Sequence, residues 1–112
     1  MLELIKNQGL LPIIKNAFCE DSTKESCGII YKDNEGLRFL KVKNISHDPE
    51  NRFLMDSSII IDYEPVVIVH SHTRSCATPS EIDINASDEL CIPYLIYSIR
   101  FDEFYLYENI SV

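Results

Sequence analysis

The sequence predicts one domain that mixes helices and strands, of α/β or α+β class, on three observations. Val66 to Val69 are β-branched without a break and follow Pro65, as expected of a buried strand. Leu10, Ile13, Ile14, Ala17 and Phe18 recur at the spacing of one helix face. Two partly apolar runs flank Asp33-Asn34-Glu35-Gly36 and read as strands joined by a turn.

Taken in order, Leu2 to Ile5 is expected as a short extended lead-in, and Gly9 marks a break. A helix over Leu10 to Cys19 follows, with Pro12 tolerable because it lies near the first turn. The polar stretch Glu20 to Lys24 ends it. Ser26 to Lys32 and Leu37 to Ile45 form the hairpin. His47 to Asn51 is a loop with His47 in solvent, Phe53 to Met55 a short strand, and Asp56 or Ser57 caps a helical turn through Ile61. The apolar strand from Val66 ends at His70-Ser71-His72, and a loop runs from Thr73 to Ala77. Thr78, Pro79 and Glu81 match the N-cap, N1 and N3 positions of a capping box, which starts a helix from about Pro79 to Leu90. Pro93 to Ile99 and Glu103 to Tyr107 are the last strands, by their aromatic and β-branched content.

At 112 residues the chain suits a single domain that buries roughly two thirds of its unfolded surface. A 46% hydrophobic content argues against disorder, and no apolar run approaches the roughly 20 residues of a membrane span. Met-Leu-Glu-Leu-Ile-Lys lacks the basic start and apolar core of a signal peptide, so a cytoplasmic location, in a bacterium or a phage-infected host, is expected. The net charge of −8 excludes the clustered basic footprint of a nucleic-acid binder. For the same reason the late tyrosines are expected to pack the sheet rather than stack bases. The acidity is uneven: from Glu81 onward seven acids face only Arg100, whereas the preceding residues hold eleven acids and nine bases. That imbalance suits a basic partner or substrate segment, and equally suits solubility. Cys19, Cys27, Cys76 and Cys91 include no Cys-x-x-Cys pair and are expected as free thiols. Cys19, Cys27 and Cys91 read as small core residues, while Cys76 lies in a polar loop beside the histidines.

Side chains two apart on a strand share a face, so His70 and His72 point the same way, and Asp83 can supply a third ligand from the next element. Zinc enzymes use three such imidazole and carboxylate ligands and leave a fourth position open. The same residues have plainer readings, as the polar end of a strand and as an acid in a helix's first turn. The two readings are compatible, because a helix capped there presents Ser80 and Asp83, three apart, on one face.

His70-Ser71-His72, seven residues, Ser80, two residues and Asp83 together resemble the metal-binding signature of the JAB/MPN (JAMM) metallopeptidases. In that family an upstream glutamate precedes a Cys-Gly or similar pair opening a strand, and Lys24-Glu25-Ser26-Cys27-Gly28 is similar. Thr73 departs from the pattern, since many relatives have proline after the second histidine. The resemblance implies a single α/β domain over residues 1–112, a mixed curved β-sheet flanked by helices in cytidine-deaminase-like layering. It implies Zn2+ held by His70, His72 and Asp83, Glu25 as the base that takes a proton from water and passes it to the leaving amine, and Ser80 as a hydroxyl that stabilises the oxyanion. The implied reaction is amide hydrolysis by a peptidase or isopeptidase.

Compact members resemble the amino-terminal module of phage tail-assembly peptidases and bacterial enzymes that trim ubiquitin-like or sulfur-carrier tails. A peptide or ubiquitin-like tail is therefore the expected substrate. A separate cell-wall peptidase or tail protein is the expected partner, with neither nucleic acid nor membrane. Two other classes compete. A non-catalytic JAB/MPN scaffold or binding module would typically have lost the metal ligands, which this chain retains. A cysteine hydrolase would use Cys27 with His70 or His47, but a thiol in a buried strand is a poor nucleophile.

Overall fold

A computed structural model of the protein describes residues 1–109. In chain order the elements are α1 (Leu2–Asn7), α2 (Leu10–Phe18), β1 (Cys27–Asp33), β2 (Gly36–Val42), α3 (Ser57–Tyr63), β3 (Val67–His72), α4 (Glu81–Leu90), β4 (Tyr94–Ser98) and β5 (Glu103–Tyr107). The strands form one mixed sheet in the order β2-β1-β3-β4-β5. β3 is antiparallel to β1 and parallel to β4, so α4 is the crossover that a parallel pair requires. β3 and β4 are buried along their whole length, which suits their nearly unbroken apolar sequences.

Alternation along the strands divides the core between the two faces of the sheet. Ile30, Val67, Val69, Leu95 and Tyr97 pack with Ile5, Leu10, Ile14 and Phe18 of α1 and α2. On the other face Ile29, Ile68 and Tyr94 meet Ile59 and Ile60 of α3 and Ala86 of α4. The domain is thus a mixed α/β sheet with helices on both sides, the fold class expected. Gly28 is needed inside β1, because a Cβ there would lie 2.5 Å from the Leu40 carbonyl oxygen and 2.8 Å from the Phe39 ring.

Several local expectations fail for identifiable reasons. Leu2 to Ile5 is helical, not extended: Leu2 and Ile5 stand three apart and both face the core, a spacing too brief to show as a period. Phe53 to Met55 is not a strand; one bond from Ile45 N–H to the Leu54 carbonyl and the Asn44 side chain satisfy its backbone instead of a ladder. β2 likewise stops at Val42, short of Ile45. The capping box belongs to Ser80 and Asp83, two residues later than Thr78 and Glu81, because Asp83 reaches back to the Ser80 N–H. Cys19 and Cys91 are exposed, since each falls at a helix C-cap rather than on an inward face; Cys27 alone of the four is buried.

Candidate metal centre

With Val67 and Val69 turned toward α1 and α2, the alternation of β3 turns Ile68, His70 and His72 toward α3 and α4. β1 lies beside β3 with Cys27 opposite His70. The next pair is fastened twice: Ser71 N–H donates to the Ser26 carbonyl at 2.9 Å, and Ser26 N–H donates to Ser71 Oγ at 2.8 Å. One residue further in this register, Glu25 comes opposite His72 and on the face shared by Cys27 and Ile29. Its backbone is held by Pro49, whose carbonyl accepts from Glu25 N–H at 2.7 Å, and by Asn44, whose Nδ2 donates to the Glu25 carbonyl at 2.9 Å.

The helix start brings the third side chain of the cluster. Ser80 Oγ accepts from Asp83 N–H at 3.1 Å, and Asp83 Oδ2 accepts from Ser80 N–H at 3.0 Å, a complete capping box. The same carboxylate meets both imidazoles: Oδ2 lies 3.1 Å from His72 Nε2 and Oδ1 3.2 Å from His70 Nε2. His70 is fully buried, and neither of its ring nitrogens has a hydrogen-bond partner. The approach to Asp83 Oδ1 is therefore one of charge proximity, too poorly aligned for a directed bond. One ligating atom from each of His70, His72 and Asp83 lies within 4.8 Å of the others, a grouping that can hold a metal ion. Orphaned buried nitrogens and a carboxylate on three converging side chains fit the donor set of zinc.

Electrostatics follows from this crowding. Burial pushes the Asp83 carboxyl up, but His70, His72 and the helix-start amides outweigh it and hold Asp83 well below the usual carboxylate range. Burial lowers His70, against the pull of Asp83, and so favours the neutral imidazole, the form able to bind a metal. For His72 burial is overcome by Asp83, the Cys76 carbonyl and Glu25, which raise it. Glu25 is pushed up to about 8, chiefly by burial, with His72 opposing and Asp83 and Asp48 adding to the shift. The Cys76 carbonyl sits 2.8 Å from His72 Nδ1 and can only accept, so Nδ1 carries a proton and Nε2 faces the cluster. Around His70 the site is dry: the Phe53 ring stacks on the imidazole with centroids 4.4 Å apart, and Tyr94 meets it edge-on at 5.6 Å.

The structure brings His70, His72, Asp83 and Ser80 together, with Glu25 near enough to interact with His72 and Asp83. It leaves out His47, which is exposed, and turns the Cys76 thiol to Thr78 Oγ1 at 3.0 Å while the carbonyl of Cys76 serves His72. Cys27 donates to the Val42 carbonyl, and burial, the largest cause, pushes its thiol up to about 12. Two contributors escaped sequence reading. Phe53 was hidden in a stretch without periodicity. Asn44 gives all its amide bonding to the loop, with Nδ2 on the Glu25 and Arg52 carbonyls and Oδ1 taking Ser46 and Leu54 N–H. An asparagine just past an apolar strand was the available signal.

The fold and this cluster define a mixed α/β domain with a His-His-Asp group that could hold a metal ion. The chain belongs to the prokaryotic JAB family: the model for prokaryotic homologs of the JAB domain matches residues 9–107. It is 32% identical over 79 residues to tail tip assembly protein K of Escherichia phage N15, covering 67% of this chain. The match takes in 32% of that relative, so the chain spans about a third of its length. The fold is shared with a Desulfitobacterium hafniense protein known from its solution structure, at a TM-score of 0.64 and 20% identity, over 86% of this chain and 75% of that one.

Proposed function

We propose that the protein is a zinc-dependent peptidase or isopeptidase that acts in phage-type tail assembly. The observation that carries this reading is His70, a fully buried imidazole with two unpartnered nitrogens set against Asp83 and His72. Burying such a group without hydrogen bonds is costly unless something else fills its lone pair. A scaffold reading accounts for the fold but leaves that imidazole without a purpose.

His70, His72 and Asp83 would hold the ion. Zinc, when bound, supplies Lewis acidity and lowers the pKa of water toward about 7. Glu25 accepts the water proton and returns it to the leaving amine, a role its carboxylate form can fill because it lies close enough to interact with His72 and Asp83. Ser80 Oγ already accepts from Asp83 N–H, and its hydrogen has no acceptor among the described residues, so it can donate to the developing oxyanion. The acidic surface favours a substrate segment carrying lysine or arginine. Tail assembly is favoured over trimming of ubiquitin-like tails by the similarity to the phage protein. A tail protein or a separate cell-wall peptidase is the proposed partner.

The test is metal analysis of wild type and His70→Ala beside peptide cleavage by wild type and Glu25→Gln. About one zinc per wild-type chain is expected, with loss in His70→Ala. Glu25→Gln should keep zinc while turnover falls roughly 10² to 10⁴-fold. Undiminished zinc in His70→Ala, or unaltered turnover in Glu25→Gln, would overturn the reading.

A further inference from the structure

We propose that Ser98, at the end of β4, is a positioning residue that holds His72 in its ligating state through the loop between them; the metal part of this inference rests on the function proposed above. The loop 73–79 leaves β3 immediately after His72, and Thr73 lacks the fixed φ that a proline would impose at the position next to the ligand. Its order comes from outside. Three successive carbonyls of the loop each accept from a different side chain: Arg74 from Arg100 Nη1 at 3.3 Å, Ser75 from Ser98 Oγ at 2.7 Å, and Cys76 from His72 Nδ1 at 2.8 Å. The following N–H, of Ala77, donates to Glu103 Oε1 at 3.2 Å.

Among these anchors Ser98 is the one built into the core. It is fully buried, directly partnered with His72 in the parallel register of β3 and β4, and uses its hydroxyl both ways, since Oγ also accepts Phe101 N–H at 3.2 Å. Arg100 and Glu103 are exposed and anchor more weakly. The consequence follows from the adjacency of the Ser75 and Cys76 carbonyls. Fixing the first orients the peptide that carries the second, and the second decides which His72 nitrogen bears hydrogen. With Nδ1–H committed to a carbonyl, the Nε2 lone pair is the one offered to the cluster. Groups bonded directly to a ligating histidine typically change metal affinity about 10- to 100-fold when removed, and Ser98, one peptide further out, is expected at the lower end of that range.

The experiment compares wild type, Ser98→Ala, Ser98→Thr and Ser98→Cys by zinc competition against a chromophoric chelator, and by the His72 Nδ1 proton resonance in the metal-free protein. Ser98→Ala should weaken zinc about 10-fold or more and lose the resonance to solvent exchange, while Ser98→Thr, which keeps the hydroxyl, restores both. Zinc affinity within twofold of wild type in folded Ser98→Ala, or equal losses in Ser98→Ala and Ser98→Thr, would overturn the proposal. Should Ser98→Ala fail to fold, Ser98→Cys decides, since it keeps the shape of serine but donates only weakly: a several-fold weaker zinc site supports the clamp, and an unchanged one refutes it. If the wild type takes up no zinc, the metal reading falls, and the Nδ1 resonance in metal-free wild type and variants still decides whether Ser98 holds His72.

Discussion

Ser26 and Ser71 are joined by two hydrogen bonds, one through a side chain and one through the backbone, just before β1 begins, where continuing the register with β3 puts Glu25 opposite His72. Both serines are buried, and Ser71 sits between the two histidines. The pair fixes the register on which the carboxylate depends, since a slip of one residue would turn Glu25 to the opposite face.

Ser71→Ala leaves the buried Ser26 N–H without its acceptor, which costs about 1 to 3 kcal/mol. A domain of this size should then melt about 4 °C lower or more. Calorimetry of the metal-free proteins checks this, and an unshifted transition would show that the hydroxyl is dispensable.

Ser80 has a structural duty as N-cap and a proposed chemical one, and two substitutions separate them. Ser80→Ala should lose about 1 kcal/mol of stability, whereas Ser80→Gly should lose only a few tenths. Both remove the hydroxyl, so both should cut turnover by on the order of 10²-fold while zinc is retained. Turnover that follows melting temperature instead of the hydroxyl would assign Ser80 to the helix alone.

Glu25 makes the metal-free protein pH-sensitive in a defined direction. Its folded pKa is raised to about 8 by burial, above its ordinary value of 4.5, so the fold favours the neutral acid. That contribution is fully present below the unfolded pKa and is lost as pH rises to the folded one. In chelator, Glu25→Gln should therefore melt close to wild type near the lower value and progressively above it toward the upper. A constant gap across that window would mean that Glu25 is solvated.

Cys27 should resist alkylation. Its thiol is buried, bonded to the Val42 carbonyl and held protonated, while Cys19, Cys76 and Cys91 are exposed. Native protein treated with iodoacetamide near neutral pH should gain label on those three alone, and on Cys27 after denaturation. Rapid native labelling of Cys27 would revive a thiol nucleophile.

The parts of the molecule that were legible in advance are those written in side-chain periodicity. The β-branched run of β3, the apolar stripe of α2 and the aromatic content of β5 each signal one element, and a strand's period of two puts His70 and His72 on one face. Asp83 is legible because a helix start is cued by short polar residues, although Thr78 and Ser80 are both good caps and only the reach of Asp83 chooses between them. Glu25 was accessible through resemblance alone, since a chain with 18 acids gives no local reason to prefer one. The Cys76 carbonyl was out of reach altogether. It acts through an atom every residue possesses, so no choice of side chain announces it.

Asp83 serves two masters, and this bears on how relatives of the chain are to be judged. Its carboxylate starts α4 as well as facing the histidines, so a lineage that abandoned catalysis would still be selected to keep a short hydrogen-bond acceptor there. Aspartate at this position is accordingly weak testimony for activity in a homologue. His70 is the opposite case: its nitrogens support no cap, turn or strand, and drift would replace it first with a plain apolar residue packed under Phe53. In a relative, the imidazole is therefore more telling than the acid.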